Sequence, residues 1–369
     1  MKKSTRNILL GVAVLCIVLV IFFIQHFKTG STVNNEFQSV ALGSEVGNSS
    51  RLQYKENHYS RAVELVSPEV YHNTDGQPIF LRDHIGREVI LLDIWTYSCI
   101  NCQRTLPYIE GWYEKYKEDG LLVIGIHSPE FEFEKDQANV ARAISKFNLT
   151  YPVVQDNDMQ IWRSYRNQYW PRKYLIDIDG FVVYDHIGEG GYDETEVVIQ
   201  KLLDERREVL GMNGSEGGVR DGMVSDTIAK SVTQVSTPEI YLGYEFSRAQ
   251  MGNIEGWHPA QTVDFLGVMK RDKNKFYLNG LWRNNADNME SVGSNSTLSL
   301  RYGARQVNIV ASADTMVEAV IYLDGVEYGK VAIKDSGLYT LVDLPMYGEH
   351  EIEIRTMSPG VKVYTFTFG

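Results

Sequence analysis

Cysteine is scarce in this chain. Three occur in 369 residues, and Cys16 sits inside an apolar run, which leaves Cys99 and Cys102 as a lone pair. So few thiols exclude a disulfide-stapled scaffold. There is no second C-x-x-C and no close pair of histidines, so the four ligands of a structural zinc are missing. Gln103 follows Cys102 where c-type haem attachment requires histidine, which removes that reading too. Positive charge is also short. With 36 basic against 48 acidic residues and a net charge of −12, nothing here neutralises a phosphate backbone, and nucleic acid is excluded as a partner.

One long hydrophobic run stands out, Ile8 to Ile24, with Lys2, Lys3 and Arg6 ahead of it. It reads as a membrane-spanning helix or a signal peptide. It exceeds the usual signal-peptide core of about 7–15 residues and no small-x-small cleavage site follows it, so an uncleaved anchor over 8–25 is the expectation. The upstream basic residues place 1–7 in the cytoplasm and the rest outside the cell membrane, as a single-pass protein with extracytoplasmic domains. Residues 26–60, polar and rich in Ser, Asn and Gly, read as a flexible tether.

The thiol pair has a definite setting. Val89 to Trp95 reads as a buried strand, Thr96 to Ser98 as a turn, and Cys99 as the start of a helix that carries Cys102 one turn on. A thiol at a helix N-terminus faces unpaired N–H groups and the positive end of the dipole, which stabilises its thiolate. Cys99 is therefore read as the nucleophile and Cys102 as the resolving thiol. A purely structural disulfide is the alternative at this point, although so small a loop restrains little of the unfolded chain.

After the pair, Tyr108, Trp112, Tyr113 and Tyr116 recur at helical spacing as a packing face. A buried strand (Leu121 to Ile126), a helix (Asp136 to Phe147), a short strand at Pro152 to Val154, a helix (Asn157 to Tyr165), a hairpin about Asp179-Gly180 and a closing helix (Asp193 to Val209) complete residues 61–210. That order suits a mixed central sheet with helices on both faces.

Asp93 precedes Cys99 by six residues, Pro107 follows it by eight, and Trp170-Pro171 stands just ahead of the strand at Lys173. These positions resemble the thioredoxin fold. The wording WTYSCINCQRTLPYIEGWYEKYKEDGLLVIGIHSPEFEFEKDQANV, followed by YPVVQDNDMQIWRSYRNQYWPRKYLIDIDG, more narrowly resembles the extracytoplasmic thioredoxin-like domain of DipZ-type proteins, related to TlpA and ResA. The resemblance covers about residues 65 to 205. It implies that Cys99 and Cys102 form the redox-active disulfide with no other cofactor and no metal. It makes Asp93 a buried acid that accepts the proton of Cys102, and Pro171 a cis-proline facing the nucleophile. Trp95 and Trp170 either wall the substrate site or pack the core. The family also implies a CcdA- or DsbD-like membrane electron donor, since the multi-helix electron-transfer domain of DipZ-type proteins is not part of this sequence. Two departures matter: Ile100-Asn101 replace the Gly-Pro of thioredoxin, and Ser98 replaces its Trp.

Residues 211–236 turn Gly-rich and polar, a linker. From 237 to 369, short alternating runs without helical signals read as an all-β sandwich. The segments TPEIYLGYEFS, LNGLW and YTFTFG resemble the DipZ-type C-terminal jelly roll, similar to carbohydrate-binding modules. Trp257, Tyr277 and Trp282 are its candidates for stacking on a cell-envelope glycan.

The expectation is thus a membrane-anchored thiol-disulfide oxidoreductase that reduces protein disulfides outside the cytoplasm. Two alternatives stand beside it. One is an envelope glycan- or protein-binding protein with a redox-inactive thioredoxin scaffold. The other is a peroxiredoxin-like peroxidase, for which Thr96-x-x-Cys99 supplies half a motif while Leu92 occupies the place of its proline.

Overall fold

The computed structural model describes residues 45–212, 222–228, 234–246 and 250–369. The expected anchor over 8–25, the segment 1–7 and much of the expected tether and linker lie outside these residues. Among the described residues no helix is long and apolar enough to cross a membrane. Tyr54–Gly369 form one compact unit.

The first element corrects the flexible tether read over 26–60. A helix, α1 (Glu45–His58), occupies its later part. It has no sustained apolar stripe, which is why periodicity misses it. What holds its end is electrostatic: Lys55 Nζ lies 2.7 Å from Asp177 Oδ2, 2.7 Å from Asp179 Oδ2 and 2.5 Å from Glu205 Oε1. Three carboxylates around one mostly buried ammonium outweigh the cost of burying it, and they hold the Lys55 pKa above its ordinary value against desolvation.

The chain then runs through β1 (Ser60–Arg61), β2 (Val70–His72), α2 (Leu81–His84), β3 (Val89–Trp95), α3 (Ile100–Tyr116), β4 (Leu121–His127), α4 (Gln137–Lys146), β5 (Val153–Gln155), α5 (Gln160–Ser164), β6 (Arg172–Ile176), β7 (Phe181–Ile187) and α6 (Tyr192–Val209). The seven strands form one sheet in the order β1-β7-β6-β3-β4-β5-β2. β3, β4 and β5 are parallel, while β6 is antiparallel to β3 and β7 to β6. This is the mixed sheet with helices on both faces that the sequence order calls for, and the fold is thioredoxin-like. β1 and β2, two and three residues long, are too short for periodicity to reveal.

β3 is central, and all seven of its residues are buried. A strand covered on both faces is apolar throughout. Asp93 alone breaks the run. Alternation sends Ile90, Leu92 and Ile94 to one core with Leu81 and Ile161, and Val89, Leu91 and Trp95 to the other with Cys102, Ile109 and Trp112. Asp93 shares the second set's parity, so it faces the core beneath α3. The aromatic face expected on α3 is there: Trp112 and Tyr116 are fully buried and Tyr108 nearly so. Each such side chain contributes roughly 3 kcal/mol of burial.

The rest is all β: β8 (Ile240–Tyr241), β9 (Thr262–Phe265), β10 (Phe276–Asn284), β11 (Met289–Ser291), β12 (Ser296–Ala313), β13 (Val317–Leu323), β14 (Val326–Ile333), β15 (Gly337–Thr356) and β16 (Val361–Phe368). β12 is one strand of 18 residues and β15 one of 20, where the sequence reads shorter alternating runs. Register shifts at Ala304/Gln306 and Val307/Asn308 bend β12, so that its first half pairs with β10 and its second with β16. The long strands therefore carry a single hydrogen-bonded nine-stranded sheet around one apolar core. Bulges interrupt the alternation, and that interruption makes one strand read as two.

Candidate active site

The turn between β3 and α3 delivers the nucleophile candidate. Cys99 is the N-cap of α3 with extended backbone (φ −74°, ψ 119°), and its Sγ accepts a hydrogen bond from the backbone N–H of Cys102 at 3.3 Å. A sulfur thus takes the capping position that an oxygen normally fills. No acidic residue stands in the first turn to compete for those N–H groups. Cys99 is half-buried, Cys102 fully buried, and both are free thiols. Only Cys99 can be reached by a large disulfide. Burial pushes the Cys102 thiol well up, and its hydrogen bond with Cys99 adds to this.

Beneath the pair lie two charges that the core should not tolerate. Asp93 is fully buried and neither carboxylate oxygen has a hydrogen-bond partner among the described residues. Burial pushes its pKa up to about 7, with Lys173 pulling the other way. Lys173 stands opposite Asp93 in the β3–β6 ladder, is itself fully buried, and donates to Gly188 O at 3.3 Å. Burial pushes the Lys173 ammonium down to about 8 against the pull of Asp93. On the other side of Asp93 the β4 partner is Gly125, where a Cβ would come within 2.9 Å of the Tyr151 ring and 3.0 Å of Trp95 Nε1. Asp93 is therefore a carboxyl that changes protonation near neutral pH on the same core face as Cys102.

The remaining site residues separate. The Trp170–Pro171 peptide is cis, and Pro171 is buried. Trp170 is half-buried, packs on Trp162 with ring centroids 4.1 Å apart, and donates from Nε1 to Ser128 O at 3.0 Å. Of the two places open to Trp95, the structure has it fully buried, because strand alternation turns it into the core with Cys102, which leaves it no exposed face to wall a substrate site. Thr96, the half-motif of the peroxidase reading, is also fully buried, with its hydroxyl 3.4 Å from His127 Nε2.

Sequence reasoning missed Lys173 and Glu134. A lysine inside the apolar strand Lys173-Tyr174-Leu175-Ile176 is the only signal for the first. Glu134, in the loop after β4, is fully buried and accepts from Ser98 Oγ at 2.6 Å and Ser98 N–H at 3.3 Å. His127, the last residue of β4, is buried and accepts from the Tyr97 N–H at 3.3 Å, and burial pushes its pKa down to about 3, which keeps the ring neutral. Tyr97 in turn donates to Ser336 O at 3.4 Å, so the β-rich region reaches the cysteine turn. A groove of about 540 Å³ opens there, lined among others by Tyr97, Gln103, Arg142, Lys146 and Tyr339.

The glycan candidates do not form a platform. Trp282 and Tyr277 are buried and Trp257 packs partly buried on the same core, edge-on to Phe276. Trp257 and Trp282 are spent on the sheet interior, while Tyr277, of opposite parity on β10, is buried with its ring against Gly252. Among the described residues, Asp177, Asp179 and Glu205 bring three carboxylates together, and the Lys55 ammonium sits among them.

Comparison with known proteins agrees with this geometry. Residues 62–185 match the AhpC/TSA family, and residues 237–369 match the family described as a thioredoxin-like C-terminal domain. Protein DipZ of Mycobacterium bovis is 34% identical over 305 residues, which is 80% of this chain and 41% of DipZ. This chain therefore spans less than half the length of that relative. The thiol-disulfide oxidoreductase ResA of Bacillus cereus is 32% identical over 133 residues, 36% of this chain and 73% of ResA.

Proposed function

Because the chain belongs to the thioredoxin-like proteins of the DipZ, TlpA and ResA type, we propose that it is a thiol-disulfide oxidoreductase. In this reading it reduces disulfides of proteins outside the cytoplasmic membrane, held there by the apolar segment 8–25. One observation carries the proposal: a reachable Cys99 caps α3 while a buried Cys102 stands one turn behind it, above the unpartnered carboxyl of Asp93.

The cycle follows from that arrangement. The Cys99 thiolate attacks one sulfur of a substrate disulfide; the S–S bond breaks, a mixed disulfide forms and one substrate thiolate leaves. Cys102 must then lose its proton. Burial makes this costly in bulk terms, and a carboxylate with a pKa near 7 is matched to accept it. The Cys102 thiolate attacks the Cys99 sulfur, releases the second substrate thiol and closes the Cys99–Cys102 disulfide. Lys173 stabilises the charged form of Asp93 and so holds the acceptor near neutrality instead of higher. Two electrons must return from a reductant, for which a CcdA- or DsbD-like membrane donor is the proposed class.

The test is reduction of insulin by the full chain in detergent with dithiothreitol as electron source. Chain-dependent precipitation that Cys99→Ser abolishes supports the proposal. Equal rates for wild type and Cys99→Ser refute it.

A further inference from the structure

The loop between β4 and α4 touches the end of β3, the turn before Cys99 and the tryptophan of the cis-proline peptide. Ser128 N–H donates to Trp95 O at 3.0 Å, and Ser128 O accepts from Trp170 Nε1 beside the cis-proline. Six residues on, the Glu134 carboxylate closes the loop upon itself: its Oε2 accepts from Glu130 N–H at 2.7 Å and Phe131 N–H at 3.0 Å. Its Oε1 accepts the two donors of Ser98, the residue immediately before Cys99. Four donors meeting at one fully buried carboxylate over-determine where Ser98 sits. Burial works to raise the pKa of Glu134 while Ser98, Thr96 and the loop N–H groups oppose it.

The outer side of the same loop is gripped by the β-rich region. Phe131 is buried against Tyr364 (ring centroids 5.1 Å), Phe246 (5.8 Å) and Tyr241 (6.4 Å), and Phe133 meets Tyr364 edge-on at 4.8 Å. The Tyr241 hydroxyl lies 2.5 Å from Glu130 Oε1 and 3.0 Å from Glu239 Oε2. Aromatic contacts of this kind form a rigid apolar weld.

We infer that Glu134 is a positioning residue that fixes Ser98 and with it the nucleophile Cys99, and that the β-rich region acts on the thiol chemistry by bracing the Glu130–Glu134 loop. The β-rich region is then a structural part of the active site, beyond any ligand it carries. This rests on the thiol-exchange reading of the pair.

The experiment uses the full chain, reduced, with oxidised glutathione as a small disulfide probe and iodoacetamide as a direct probe of Cys99. Glu134→Gln keeps the shape but opposes an amide N–H₂ to converging donors. It is expected to slow both reactions of Cys99 roughly tenfold, the scale of a lost charge-assisted hydrogen bond. Ser98→Ala slows them less, and the double variant is no slower than Glu134→Gln alone, because the two residues share one interaction. Tyr241→Phe and Tyr364→Leu slow them in the same direction, while the pH midpoint of the resolving step stays at its wild-type value, which general loosening of the core would move. Wild-type rates in Glu134→Gln, or additive effects of Ser98→Ala and Glu134→Gln, overturn the role of Glu134. Should Glu134→Gln not fold, Ser98→Ala and the tyrosine variants carry the test by the same readouts. Wild-type rates in both tyrosine variants overturn the brace. If wild type exchanges with oxidised glutathione no faster than Cys99→Ser, the oxidoreductase reading fails instead, and the alkylation rates still decide the positioning.

Discussion

Asp93 on β3 and Lys173 on β6 stand directly opposite one another in an antiparallel ladder, both fully buried on the sheet face that also holds Cys102. Burial drives the carboxyl up to about 7 and the ammonium down to about 8, so the two titrate next to each other near physiological pH. Directly opposed antiparallel partners have Cβ atoms about 5 Å apart. The pair is thus a proton-exchanging unit set under the resolving thiol.

Asp93→Asn removes the acceptor without changing the shape. Resolution of the mixed disulfide by Cys102 should slow roughly 10²-fold at pH 7, the usual scale of positioned general-base catalysis. The first attack by Cys99 should change much less. Rapid-mixing measurement of the two thiol-release steps separates them, and equal slowing of both steps speaks against the role given to Asp93.

Stability should depend on pH through the same pair, with opposite signs on its two sides. Asp93 is raised in the folded state, so the native chain binds more protons than the unfolded one between about pH 4 and 7, and stability falls as pH rises through that window. Lys173 is lowered, so the unfolded chain binds more protons between about pH 8 and 10.5, and stability recovers there. The contribution is on the order of a few kcal/mol on each side. Urea titrations at successive pH values should show wild type minus the Asp93→Asn/Lys173→Met double variant dipping near neutrality; a flat difference refutes the assigned shifts.

Cys102→Ser should arrest the cycle after the first attack. Exported partners are then expected as mixed disulfides on Cys99, released by dithiothreitol and absent when Cys99→Ser is added. Their recovery from cells, identified by mass, tells which proteins present disulfides to this site. A Cys102→Ser chain that accumulates no Cys99 adduct contradicts the division of labour between the two thiols.

Lys55→Met leaves Asp177, Asp179 and Glu205 facing one another without their cation. Removing one partner from a mostly buried charge cluster costs about 3–5 kcal/mol. A lowered thermal midpoint that recovers on acidification, as the carboxylates protonate, is the expected signature. An unchanged midpoint at neutral pH makes the cluster irrelevant to stability.

Gly125→Ala sets a methyl against the Tyr151 ring at 2.9 Å, beside Asp93 in the ladder. Overpacking of this kind costs about 1–3 kcal/mol. The pH midpoint of the resolving step should shift as well, since the walls of the Asp93 site move; a stability loss with no such shift limits Gly125 to packing.

Local chemistry alone determined much of this protein. Strand, turn and helix around Cys99 follow from an apolar run, turn residues and helical spacing, and those are properties of neighbours in the chain. Asp93 announces itself as the one charge in a strand that is otherwise apolar. The mixed α/β order followed by uninterrupted β is legible for the same reason. What the tertiary structure decided are the pairings between distant segments. Lys173 lies 80 positions from Asp93 and meets it only because β6 pairs antiparallel with β3. Glu134 meets Ser98 only because β4 lies beside β3 and turns its loop over the site. α1 is held by three carboxylates from distant positions, and Trp95 and Trp282 are core residues because of the faces their strands present. A sequence records which groups want burial or a counter-charge, whereas which of them find one another depends on strand order and register.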